Sequence, residues 1–371
     1  MIIADAPARA QIQNILNFNG HYGCNMCEIR TKQCQRVERK KSCRIYPFKD
    51  NVTLRTGARM EQQARRVLKS NKIHIKGVKG YSVISCLPLI DLGTCVLPEY
   101  MHSVLLGVVK HFITIWLKRS GPWNIKQFSK EIDTFLVNIR TLQSFSRLPR
   151  PISQFQFYKA SEYYNWILFY SLPALVNYLP DKYFQHWMLI VIALYILLQE
   201  RITIKLDLQQ ADELIKLFRE KIPTLYSDRD LTYNAHQLAH LVLSVKRWGP
   251  LWATSAFPFE NYNGFIANCV HDNKHMGQEI VHILTIAQGV QVLKNRVTDE
   301  HDTTVEDHEL KKYQLLGKNV TVDLNDVERQ LLSSEGLDSI DDVKVYTRKL
   351  IKKFILQTHI KSLKQIVAQY K

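Results

Sequence analysis

Two pairs of potential metal ligands stand far apart in this chain, and if both serve one ion, everything between them must close into a loop. Cys24-Asn25-Met26-Cys27 is a Cys-x-x-Cys knuckle that follows Gly20-His21-Tyr22-Gly23. Tight turns of this kind let two thiolates converge on a metal at about 2.3 Å. His236-Gln237-Leu238-Ala239-His240 lies in a stretch that reads as helix from Tyr233 to Val245, where i,i+4 spacing sets both imidazoles on one face. About 208 residues separate the two pairs, against roughly 12 in a DNA-reading zinc finger. A shared zinc would therefore be a clasp on a large insertion. Each pair also has an ordinary reading, as buried thiols or as hydrogen-bonded helix histidines. A redox role for the knuckle needs a βαβ context that the sequence does not offer. A zincin needs Glu directly after the first histidine, where Gln237 stands.

Most of the intervening chain has helical periodicity. Apolar residues recur at near-helical spacing over Met101 to Lys118, Phe128 to Leu142, Ser161 to Tyr178, Tyr183 to Glu200 and Asp207 to Glu220. Gly121-Pro122, Pro149-Arg150-Pro151, Pro173 and Pro180 punctuate them. Strand-like runs are few: Met1 to Ala4, Lys72 to Lys76 and Tyr81 to Leu87. The expected fold class is mainly α. The longest apolar run, Trp187 to Leu198, is about a dozen residues, short of the roughly 20 a bilayer requires, so no membrane partner is expected. The opening residues carry no basic and long apolar leader pattern, and seven unevenly spaced cysteines suit a reducing compartment.

Charge divides the chain more sharply than composition does. The net charge is +16 with a pI near 9.4, which favours polyanions and makes DNA the first partner to consider. Between Glu28 and Gly80 stand sixteen basic residues against four acidic ones, so this stretch holds +12 of the excess. Arg36, Arg39, Lys40, Lys41, Arg44, Arg65 and Arg66 are the candidate nucleic-acid contacts there. Such side chains position a phosphate backbone without reading its sequence; a solvated charged face is the ordinary alternative. Residues 296–342 are acidic and read as a linker or subdomain, and 343–371, basic throughout, as an amphipathic C-terminal helix.

Two acids have suggestive settings. Asp5 ends a short apolar run just before Pro7, which suits either a helix N-cap or a metal carboxylate at a strand end. Glu260, in Phe257-Pro258-Phe259-Glu260-Asn261, sits among aromatics after Trp248-Gly249-Pro250-Leu251-Trp252. An acid in apolar surroundings is costly unless paired or metal-bound, although one near a helix start also satisfies backbone amides.

Taken in order, Asp5, Cys24/Cys27, His236/His240 and Glu260 resemble the layout of CACTA/Chapaev-type DDE transposases, relatives of the recombinase that assembles antigen-receptor genes. Phe18-Asn19-Gly20-His21-Tyr22-Gly23-Cys24 and Glu99-Tyr100-Met101-His102 resemble motifs of that group, in which Asp usually stands where this chain has Glu99. The resemblance covers roughly residues 1 to 295. It implies a partial ribonuclease-H-like core, with a remnant at 1–23 and a helical region carrying the catalytic-type Glu at 241–295. Between them, 24–240 would be a mostly helical insertion closed by a structural zinc on Cys24, Cys27, His236 and His240. It further implies that Asp5 and Glu260 are catalytic ligands of Mg or Mn, that the protein acts on DNA in the nucleus, and that it assembles as a homodimer or higher oligomer. No acid upstream of Asp5 matches the first aspartate of the triad, so little or no strand transfer is expected from this polypeptide alone. A non-catalytic nuclear scaffold that binds DNA or protein, domesticated from a transposase, is the alternative expectation.

Overall fold

The computed structural model describes residues 1–34, 42–87, 90–141, 147–268, 270, 275–300, 315–321 and 344–349. These residues are mainly helical and divide into two compact units, Met1–Ile139 with Pro149–Asn268, and Arg140–Leu148 with Cys269–Lys371. The first unit opens with α1 (Ala6–Ile12), a two-stranded antiparallel ribbon of β1 (Lys32–Cys34) and β2 (Cys43–Ile45), and α2 (Gly57–Lys69). A nine-residue π-helix, Met101–Val109, runs directly into α3 (Lys110–Lys118) and is followed by α4 (Ser129–Val137). Next, α5 (Ala160–Asn165) passes through a π-turn into α6 (Ser171–Leu175), and then come α7 (Asp181–Leu197) and α8 (Asp207–Leu225). The unit ends with α9 (Tyr233–Gln237), α10 (Leu241–Trp248) and α11 (Phe257–Asn268). The second unit holds α12 (Met276–Glu300) and an antiparallel pair of β3 (Leu315–Thr321) and β4 (Lys344–Lys349).

Patterning explains which helices lie inside. In α2 only Met60, Gln63, Ala64 and Val67 are buried, the i, i+3, i+4, i+7 stripe of a surface helix. In α7 the apolar residues run all round the helix, and Tyr183, Phe184, Trp187, Ile190, Val191, Leu194 and Leu197 are among its many buried positions. A helix apolar on every side must be interior. Around Phe112 the rings of Trp116, Trp187, Phe218 and Tyr226 gather with centroids 5.2–6.1 Å away. Trp187 is fully buried, and its indole N–H donates to Ser171 Oγ at 2.9 Å. Trp187→Ala should therefore cost about 3–5 kcal/mol, read as a lower urea midpoint at unchanged slope. A loss below about 1 kcal/mol would show that this ring cluster is not the core that supports the unit.

Several short segments differ from expectation. Met1 to Ala4 contributes one isolated parallel bridge, Ile2 to Val96, and no full strand. Lys72 to Lys76 is not a strand either. Ile75 pairs with Val78 across Lys76-Gly77, whose φ values of 46° and 90° make a two-residue turn of the type that closes a hairpin. Tyr81 to Leu87 forms a 3₁₀ turn, Val83–Cys86, because Ser82 Oγ accepts the Ile84 amide. The tail expected to be helical begins as a strand: β4 carries Val345, Tyr346 and Thr347, branched or aromatic residues that favour extended pairing. The rest of that tail lies outside the described residues. Residues 1–23, 24–240 and 241–268 all belong to the first unit save 140–148.

Candidate functional site

The loop before the knuckle fits only because Gly23 has no side chain; a Cβ there would lie 2.3 Å from the Asn17 carbonyl oxygen. Arg55 fixes the turn from inside, its Nε donating to the Cys24 carbonyl at 2.9 Å while its own amide donates to that of Met26. On the other side, Thr232 caps α9 by accepting the Ala235 amide, so the helix starts in the register that turns His236 and His240 inward. Close approach of α9 to the π-helix depends on Gly107, whose missing Cβ would sit 2.5 Å from the Asn234 amide nitrogen.

These supports bring Cys24, Cys27, His236 and His240 together, all four buried and with donor atoms within 4.8 Å of one another. Cys24 Sγ lies 3.4 Å from His240 Nε2, Cys27 Sγ lies 3.3 Å from His236 Nε2, and the two Nε2 atoms are 3.3 Å apart. Two imidazole ligands at about 2.05 Å from a tetrahedral ion would be separated by roughly 3.3 Å. The four side chains could hold a metal ion such as zinc. Electrostatics agree. Burial pushes His236 down to about 4 and keeps its ring neutral, the form that binds metal. Burial alone would raise both thiols, but hydrogen bonding from Cys27 and the nearby histidines pull Cys24 well below its usual range. Cys27 is held high by burial and by the charge on Cys24. Cys24 is thus the more acidic of the two thiols, and a bound cation would favour ionisation of both. The Met26 amide and Gln237 Nε2 point at Cys24 Sγ from 3.4 and 3.5 Å, and the Tyr46 ring stacks on His236.

Two tethers position the acids singled out in the sequence. Arg9, buried in α1, donates to the Leu97 carbonyl at 2.8 Å and reaches Gln237 Oε1 and the Tyr233 hydroxyl at 3.4 Å. It thereby ties the helix that Asp5 opens to the helix carrying His236. Asp5 is an N-cap, its Oδ1 accepting the Ala8 amide at 2.9 Å. The second tether is Glu99, only 1% exposed. Its Oε1 accepts the Met101 and Ala256 amides at 2.8 and 2.9 Å, and its Oε2 accepts the His102 amide and Nδ1 at 2.8 Å. One carboxylate therefore holds the start of the π-helix and the residue just before α11.

Glu260 stands in the first turn of α11, where its Oε1 meets His102 Nε2 at 3.0 Å. A carboxylate only accepts, so both His102 contacts are hydrogen bonds when the ring is imidazolium. Its pKa is raised accordingly, first by the Glu99 hydrogen bond and also by the charges of Glu99, Glu260 and Asp5. Burial would raise Glu99 itself, but its hydrogen bonds from His102, Ala256 and Met101 bring it below the usual carboxylate range. Asp5 and His102 share the wall of a cavity of about 480 Å³, with Phe18, Asn19, Arg44 and Tyr46.

No protein-family model and no curated protein matches this chain. What the site can do therefore rests on its residues. Among the described residues the Cys/His set is the one group of three or more ligand-type side chains drawn within 4.8 Å, so Asp5 and Glu260 do not complete a second. Their exposed carboxylate oxygens are still the donors that a hard divalent ion takes. Of the candidate DNA contacts, Arg44 lines the cavity and bonds His21 and Thr31. Arg65 and Arg66 lie on the exposed side of α2, where Arg65 pairs with Glu61 at 2.6 Å. Arg36, Arg39, Lys40 and Lys41 lie outside the described residues. No described helix is long and apolar enough to cross a membrane. The roles of Glu99 and Arg9 escape the sequence. For Glu99, the available signal is a Glu three residues before His at a helix start, a spacing that caps amides and meets the ring on one face.

Proposed function

We propose that the chain is a transposase-derived DNA-binding protein with the layout of a DDE transposase. Zinc on Cys24, Cys27, His236 and His240 would be structural, and Asp5 and Glu260 would hold a catalytic divalent ion. One observation carries this reading. The Cys/His cluster joins the two ends of a 209-residue separation, and beside it both sequence-predicted acids address one histidine, Glu260 by contact and Asp5 across a shared cavity. Asp5 and Glu260 would hold the divalent ion, which would there supply activated water for phosphodiester cleavage. The protein's own part is to fix Glu260 through His102 and Glu99, to hold Asp5 near it through Arg9, and to offer Arg44 beside the cavity to a phosphate. The reading includes a nuclear location and assembly of two or more copies on DNA. With only two of the triad's three acids assigned, little or no activity is expected of this polypeptide alone, so the test is whether any weak nicking of supercoiled plasmid in Mg²⁺ or Mn²⁺ depends on Glu260. Glu260→Gln is expected to reduce nicking to the metal-free background while DNA binding persists. Wild-type nicking that survives the substitution would sink the assignment of Glu260.

A second reading is favoured by the partners that both acids already have. Asp5 caps α1 and Glu260 pairs with His102, so each has a structural use without any metal. In that case the protein is a non-catalytic scaffold. DNA binding with no Mg²⁺ or Mn²⁺ held in dependence on Asp5 and Glu260, from zinc-loaded folded protein, is its expected signature.

A further inference from the structure

We infer that His102 is itself a ligand of the divalent ion, through Nε2 and adjacent to Glu260, with Glu99 as the carboxylate that orients the ring. This rests on the divalent-ion reading of Asp5 and Glu260 but adds a nitrogen donor that the carboxylate layout does not contain. The first ground is distance. Two ligands at about 2.1 Å from one ion, set roughly 90° apart, have donor atoms roughly 3.0 Å apart. His102 Nε2 and Glu260 Oε1 are 3.0 Å apart. The second ground is the far side of the ring. A metal-binding histidine almost always gives its other N–H to a carboxylate or carbonyl, which fixes the tautomer and aims the lone pair. Here Nδ1 donates to Glu99 Oε2 at 2.8 Å, and that carboxylate is itself locked by three backbone amides.

The third ground is the contrast in exposure along the row. The Glu99 side chain is 1% exposed, that of His102 31% and that of Glu260 53%. The orienting group is therefore inside and the donor edge opens outward, where an ion can enter. The same buried carboxylate that joins the π-helix start to the Ala256 amide thus also fixes the ring, so the direction of Nε2 is set by the fold and not by its exposed neighbour. When the ion binds, Nε2 gives up its proton to solvent and its lone pair goes to the metal. A site with an imidazole among its ligands favours Mn²⁺ over Mg²⁺, since nitrogen donors suit transition metals.

Mn²⁺ titrated into zinc-loaded full-length protein, followed by electron paramagnetic resonance, tests this directly because zinc is silent there. The expected result is one bound Mn²⁺ showing a ¹⁴N coupling from imidazole. That coupling should vanish in His102→Gln, with affinity at least about tenfold lower, and Glu99→Gln should weaken binding about 10–100-fold. Zinc content and thermal unfolding of each variant show whether it has folded. Mn²⁺ bound in dependence on Asp5 and Glu260, without nitrogen coupling and with unchanged affinity in His102→Gln, would overturn the inference and leave the carboxylate reading intact. Failure of folded wild-type protein to bind Mn²⁺ at millimolar concentration would overturn both.

Discussion

Chelating the metal from the Cys24/Cys27/His236/His240 centre is expected to unfold a large part of the first unit, not merely to loosen a loop. Structural zinc contributes apparent binding free energies of about 10–16 kcal/mol in small zinc-binding peptides, as large as the roughly 5–15 kcal/mol by which whole domains are stable. Two further effects act in the same direction. Closing a loop of this length is worth roughly 5 kcal/mol in the chain-entropy view, and the emptied pocket leaves four buried ligand side chains without the cation they surround. Atomic absorption should give about one zinc per chain. A strong chelator should abolish the cooperative helical unfolding transition or lower its midpoint by tens of degrees. Zinc stoichiometry unchanged in the double variant Cys24→Ala/His240→Ala would refute the four-ligand assignment. Acid should mimic the chelator. The unfolded chain protonates His236 near its ordinary value of 6.5, whereas the folded chain resists until about 4. The unfolded state therefore binds more protons through that window, and stability falls as pH is lowered from 6.5 towards 4.

DNA affinity should drop by about 10³–10⁵ between 50 and 200 mM salt if the basic stretch makes 6–10 phosphate contacts, because each neutralised phosphate releases a counterion. The loss should be nearly the same for unrelated sequences, since phosphate contacts carry no base information. Neutralising Arg39, Lys40 and Lys41 together should reduce the slope of log K against log salt by roughly 3. Arg65→Ala should do less, because its guanidinium is already shared with Glu61 and the Tyr81 hydroxyl. A salt slope unaltered by the triple substitution would return these residues to the role of a solvated face. Fluorescence anisotropy with a labelled duplex at several salt concentrations measures both quantities.

Elements whose signal is local were readable in the sequence. The all-round apolar run of α7 gives a helix close to the expected bounds, and the stripe of α8 gives the expected start, although that helix runs on through Pro223 to Leu225. The convergence of Cys24, Cys27, His236 and His240 was readable as well, because ligand type and spacing within each pair are chemical requirements that survive any distance between the pairs. Features formed between distant segments were not. The contact of His102 with Glu260 and that of Glu99 with the Ala256 amide, 157 positions away, leave no periodicity in either segment. The ribbon of Lys32–Cys34 with Cys43–Ile45 was hidden by its charge, since each strand is only three residues long and too short to alternate visibly. Lys72 to Lys76 erred the other way. Its alternation suggested a strand, but Gly77 accepts a left-handed backbone, and the chain turns there and brings Lys76 Nζ to Glu28 at 2.8 Å.

The 209-residue separation of Cys27 and His236 also sets a clock for the growing polypeptide. At translation rates of about 5–20 residues per second, the thiols leave the ribosome roughly 10–40 s before the histidines that complete their site. During that interval Cys24 and Cys27 form only half a coordination shell, open to oxidants and to rival metals, and the helices made meanwhile must fold without the clasp. The bonds from Arg9 to Gln237 and from Glu99 to Ala256 are later still or concurrent, so the edge bearing Asp5, His102 and Glu260 is among the last parts of the unit to assemble. Translational pausing or zinc scarcity within those seconds would therefore be felt first at that edge, in the yield of correctly joined molecules.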